Sequence, residues 1–145
     1  MVAETGVWTP CPTLSAELSC RLVDAAVGEA AAMSVRATIV TVDESGVLKE
    51  MQRMDGAPLV SVQTAMNKAY AAAAIGMPPD EFYQAIESDG AAVAAFANRP
   101  GLALIAGGLP LVFDGRVAGA IGVAGAMTGA EDRRIAAAAV EATAG

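Results

Sequence analysis

Histidine is missing from all 145 residues of this chain. That absence removes the imidazole-dependent catalytic triad, the ordinary histidine zinc site and imidazole ligation of haem iron from within the chain. Positive charge is scarce as well. Lys and Arg number 9 against 16 Asp and Glu, for a net charge of −7, and no basic run occurs. Nucleic-acid binding by phosphate neutralisation is therefore not expected. Long apolar runs are also lacking, since Gly, Pro, Asp114 and Arg116 interrupt each one. None approaches the roughly 20 residues a bilayer span needs, so no membrane partner is expected. Cys11 and Cys20 are too far apart for a CxxC motif and have no partners for a zinc set, which predicts free thiols and no metal site. Met1–Thr13 carries Glu4 and no apolar core, so a signal peptide is not expected and a cytoplasmic location is.

What is abundant is small and apolar. Hydrophobic residues make up 54% of the chain before its 15 glycines are counted, and charged residues only 17%, where about 25% is usual. A domain of this size cannot hide so much apolar surface alone. The excess predicts a homo-oligomer, a dimer or a larger ring. The length suits one domain at 13–145 behind an irregular arm at 1–12, where Pro10 and Pro12 discourage regular structure. Trp8, on that arm, is expected to dock on the body or on a neighbouring subunit.

Periodicity sets out the elements. Thr13 is read as the N-cap of a helix to about Met33, with Leu14, Leu18 and Leu22 at helical spacing. Arg36–Val42 and Val47–Arg53 form a hairpin across Asp43-Glu-Ser-Gly46. A helix over Leu59–Ile75 stops at Gly76, and shorter helices follow at Pro79–Glu87 and Ala91–Asn98. Leu102–Ala106, Leu109–Phe113 and Arg116–Ala124 read as a three-strand meander, with Asp114-Gly115 as a hairpin turn. Thr128-Gly-Ala-Glu131 matches a capping box that opens a final helix from Gly129 to about Thr143. The pattern predicts an α+β domain: a five-stranded, mainly antiparallel sheet flanked by helices, PAS- or profilin-like.

Four stretches in this order resemble the GlcG/HbpS family, the haem-degrading family also found as the C-terminal domain of PduO-type proteins. They are Val40-Thr-Val-Asp43-Glu-Ser-Gly46, Arg53-Met-Asp-Gly-Ala57, Ala65-Met-Asn-Lys68-Ala-Tyr-Ala-Ala, and Gly107-Gly-Leu-Pro110 through Gly115-Arg-Val-Ala-Gly-Ala-Ile-Gly-Val-Ala-Gly125, closed by Glu131-Asp132. The resemblance implies a sheet-and-helix fold assembled as a dimer or a ring such as an octamer, and relatives that bind haem or other small molecules. It departs at Ala124-Gly125-Ala126, where the family usually has Ser-Gly-Gly, and in lacking histidine. Both departures argue against histidine-ligated haem, and no other cofactor is required.

Lys68 is the first candidate for chemistry. It is the only charged residue between Pro58 and Pro79. Partial desolvation there would suit it to act as a base or to grip a carboxylate, the structural alternative being a salt bridge to Asp43 or Asp55. Arg53 could clamp a carboxylate while Asp55 serves as acid or base; structurally, the two would instead support the Gly56 turn. Gly119, Gly122, Gly125 and Gly129 lead onto a capped helix start that suits an anionic group, or else permit close packing. Gly107, Gly108, Asn67, Ala126 and Thr128 complete the expected pocket, while Glu131 and Asp132 are assigned to capping and the helix dipole. Met33, Met51, Met54, Met66, Met77 and Met127 are read as core filler before iron ligands.

Two functions follow. The first is a binding module for an anionic, carboxylate-bearing ligand such as a tetrapyrrole propionate. The second is a cofactor-independent isomerase, tautomerase or lyase, in which Lys68 or Asp55 moves a proton and backbone N–H groups hold an oxyanion. A purely assembling scaffold is the remaining reading.

Overall fold

The computed structural model describes Gly6 and residues 8–144; the rest of the predicted arm lies outside the described residues. Two hairpins make the sheet. Strands β1 (Thr38–Asp43) and β2 (Leu48–Arg53) form one, and β3 (Gly108–Phe113) and β4 (Arg116–Ala124) the other. Asp114 and Gly115 turn the second hairpin at φ 51° and 73°, the positive pair that a two-residue turn needs to match strand twist. The strand order is β2-β1-β4-β3, antiparallel throughout.

The sheet has four strands where five were expected. Leu102–Ala106 joins no ladder. The Leu102 N–H donates back to Arg99 O at 3.2 Å, and Gly107 swings the chain at φ 126° directly into β3. The meander is thus a hairpin preceded by a loop, and the α+β class stands.

Helices cover both faces. α1 (Ala16–Ala32) and α5 (Gly129–Thr143) lie on one, and α2 (Leu59–Ile75) lies on the other. The short α3 (Pro79–Ile86) and α4 (Gly90–Phe96) follow α2. The first helix is capped by Ser15, whose side chain accepts from Leu18 N–H, and not by Thr13. The reason is tertiary: Leu14 N–H is committed to Ala118 O at 2.8 Å, which holds the chain extended against β4. Among the described residues no helix is long and apolar enough to cross a membrane.

Alternation along the central strands divides the core. Ile39, Ile121 and Val123 meet Leu22, Val23 and Ile135 beneath α1 and α5. Val40, Val42 and Ala120 meet Ala65, Ala69 and Ala72 of α2. On the α2 side the contact is backbone to backbone. A Cβ at Gly122 would lie 2.2 Å from Ala65 O and 2.6 Å from Ala69 N, so glycine is what lets the helix seat this closely. A Cβ at Gly119 or Gly125 would likewise be crowded, 2.4 Å from Val42 O and 2.5 Å from Arg36 O respectively. The glycine series is a packing device first.

Candidate functional site

The close seat of α2 carries Lys68 into the interior, where only 1% of the residue is exposed. Its Nζ donates to Asp132 Oδ2 at 2.8 Å and to Val123 O at 2.9 Å. The expected salt bridge is therefore present with another partner. Asp43 instead accepts from Ser45 N–H and Val47 N–H inside its own turn, and Asp55 is exposed. Asp132, assigned above to the helix dipole, accepts from Lys68 and, through Oδ1, from Ala126 N–H at 3.0 Å. Burial pushes the Asp132 carboxyl above the usual carboxylate range, while the hydrogen bond and charge of Lys68 and the Ala126 N–H pull the other way.

Beyond β4 the chain turns at Gly125 (φ 131°) and enters α5 through the predicted capping box. Glu131 N–H donates to Thr128 Oγ1, and Thr128 N–H donates to Glu131 Oε2, each at 3.2 Å. The N–H groups of Gly129 and Ala130 have no protein acceptor among the described residues, as the first turn of any helix leaves them. Arg133, one position after Asp132, reaches Asp80 at 2.7 Å and Glu81 at 2.5 Å, tying the same turn to α3.

Between this turn, the first half of α2 and the loop at Ile105 lies a cleft of about 390 Å³, within the usual size of small-molecule sites. Its floor is the Lys68–Asp132 pair with Ser61, and its rim carries Val60, Ile105 and Met127. Met127 is 95% exposed. Ser61, 2% exposed, donates to Pro58 O at 2.5 Å and pairs with the Thr38 hydroxyl at 2.8 Å. The floor is thus polar, buried and internally satisfied, while the rim is carbon.

Of the predicted residues, Lys68, Gly125, Ala126 and Thr128 line this cleft. Gly107 lies beneath it: a Cβ there would come 2.7 Å from Lys68 Nζ and 2.6 Å from Val123 O. Gly108 abuts Lys68 O at 2.5 Å by the same measure. Both glycines therefore make room for the lysine and do not line the cleft. Arg53 is exposed and wraps its own turn, Nε and Nη2 donating to Ala57 O at 3.2 and 2.8 Å. Asn67 accepts from Gln63 Nε2 at 2.8 Å on the helix surface. Neither of these, nor Asp55, is among the lining residues.

Sequence reasoning missed Ser61, Thr64, Ile105, Met127 and Asp132. Ser61 and Thr64 were findable, because with Lys68 they form a polar i, i+3, i+7 stripe along one face of the helix. Asp132 was masked by its neighbour Glu131, which explains the capping box unaided. Among the described residues no group of three His, Cys, Asp or Glu could hold a metal ion.

Residues 14–141 match the family model described as "Haem degrading protein HbpS-like". Protein GlcG of Escherichia coli is 32% identical over 110 residues, covering 76% of this chain and 80% of its own. A double mutant of Streptomyces reticuli HbpS superposes with a TM-score of 0.90 at 28% identity, covering 100% of this chain and 97% of that one. The crystal structure entitled a PduOC:heme complex superposes at 0.80 with 28% identity, covering 90% and 94%.

Proposed function

The chain belongs to the HbpS-like family, and from that premise we propose that it is a small-molecule-binding protein whose cleft takes a carboxylate-bearing ligand. One observation carries the reading. The unpaired N–H groups of Gly129 and Ala130 stand at the positive end of α5, beside a hollow with a neutralised polar floor and a carbon rim. Such a helix start favours an anion, and the rim of Val60, Ile105 and Met127 suits an apolar tail. The apolar excess of the sequence supports assembly with copies of itself.

Haem, the ligand named for one relative, fits the lining residues poorly. The chain has no histidine, and the one cation lining the cleft, Lys68, is already held by Asp132. Met127 is the one side chain there with a soft iron ligand. The acid–base alternative would need Lys68 free or Asp55 in the hollow. The ion pair and the exposed position of Asp55 favour binding over turnover.

Calorimetric titration against a panel of small mono- and dicarboxylates tests the reading. Saturable binding is expected, falling at least tenfold in Thr64→Phe, which fills the hollow from a half-buried position, with the unfolding midpoint unchanged. No saturable binding across the panel, or equal binding in the filled variant, would overturn it. A Soret band surviving gel filtration after hemin addition would move the assignment to haem.

A further inference from the structure

A second hollow, larger than this cleft, lies elsewhere on the described residues. On the α1/α5 face an apolar groove of about 560 Å³ runs between Leu18, Leu22, Leu111, Phe113, Val140 and Pro12. No ionisable side chain lines it. Beside it runs β3, an edge strand, with Val112 and Phe113 60% and 68% exposed. Strand-to-strand extension of that edge is discouraged, because Pro110 has no N–H and the register slips between Leu111 and Val112. Insertion of a side chain from outside is not obstructed in this way.

The same corner presents a candidate. The arm is pinned where Leu14 N–H donates to Ala118 O and where Arg116 Nη1 donates to Pro10 O. Beyond those pins Trp8, the only tryptophan, is 75% exposed and does not line its own groove. Pro10 and Pro12 fix φ on the arm and oppose the tight reversal that self-insertion would need.

We propose that the groove is filled by Trp8 of a second copy, the two arms exchanging reciprocally about a twofold axis beside the β3 edges. Trp8 lies two positions beyond the pin at Pro10, a reach of roughly 7 Å when extended, so the two grooves lie close against one another across the axis. The exposed parts of two tryptophans and two Phe113 rings would bury on the order of 400–700 Å². With the arms and Val112 added, that approaches the roughly 1,200 Å² at which stable interfaces begin. Reciprocal exchange of one patch is what an isologous dimer requires. The inference deepens the self-association in the functional reading and is independent of the cleft's ligand.

The lone tryptophan makes the test direct. Light scattering and tryptophan emission are followed through a dilution series of the full chain. In the assembly, emission is expected to be blue-shifted and shielded from acrylamide, moving red as the mass falls. Trp8→Ala and Phe113→Lys, both at exposed positions, should each lower the assembly mass at least twofold while the far-ultraviolet circular dichroism stays that of the folded chain, any fall in melting temperature being that of the lost association. Phe113→Lys should also move Trp8 emission to that of free indole. Unchanged mass in Trp8→Ala would overturn the proposal by giving the groove another occupant, and blue-shifted emission at monomer mass would overturn it by giving the groove to the chain's own arm. Red emission from an intact assembly would overturn it too. A wild-type monomer at every concentration would remove self-association altogether, whereas failure of the carboxylate panel alone would touch only the cleft.

Discussion

The two faces of the sheet are built by opposite rules. Under α1 and α5, Leu22, Ile39, Ile121 and Ile135 fill space with branched side chains and hold the layers apart. Under α2, Gly122, Ala120, Ala65 and Ala69 remove side chains until backbones nearly touch. The bulky face leaves an apolar groove at its rim. The thin face brings a lysine amine to an aspartate through the body of the protein. Chemistry collects where side chains are smallest, because only there can a long polar side chain cross from a helix to the end of the sheet.

The largest way to break that contrast is to strip one partner from the crossing. Lys68→Met leaves Asp132 buried and unpaired and should cost about 3–5 kcal/mol in urea unfolding. Lys68→Met combined with Asp132→Leu should recover most of that loss, since replacing a whole buried pair with apolar groups is often near neutral. On the thick face, Ile121→Ala should cost about 2–5 kcal/mol by opening a cavity. Its neighbour obeys the reverse rule: Gly122→Ala, one added carbon, should cost about 1–3 kcal/mol through overpacking. If Gly122→Ala were neutral, the account of the thin face would fail. Thr128→Ala, at the capping box, should cost about 1 kcal/mol.

The smallest effect is in pH. The folded-state carboxyl of Asp132 lies above its ordinary value of 3.8, so the folded protein binds that proton more tightly than the unfolded chain. By linkage, its contribution to stability falls as pH rises through the raised folded value and is regained on acidification. Wild type should therefore gain on the Lys68→Met, Asp132→Leu double variant as the pH is lowered from neutral toward the carboxylate range. Parallel stability curves would contradict this.

Local signals carried most of the fold. Leu59–Ile75 was readable to the residue because Pro58 and Gly76 bracket it, and the capping box at Thr128 because its partners lie three positions apart. What failed was set by distant atoms. Thr13 looks as good a cap as Ser15 until Ala118 O engages Leu14. Leu102–Ala106 has a strand's composition but no neighbour to pair with. At the site, Lys68 was visible as a lone charge, yet its partner lies 64 positions away, a separation no spacing rule reaches. Arg53 and Asp55 lie outside the cleft, and spacing could not place them, because a turn that must be braced and a turn that binds use the same residue types.

The opening turn of α5 is fastened twice, to α2 through Asp132 and to α3 through Arg133. One wall of the hollow is consequently a fixed jaw, unable to swing outward unless three ion pairs part together. A guest must enter past the opposite lip, where Ile105 sits on an unpaired stretch of chain. Exchange kinetics should accordingly respond to stiffening of that lip, by proline or a crosslink, far more than to any change behind the helix.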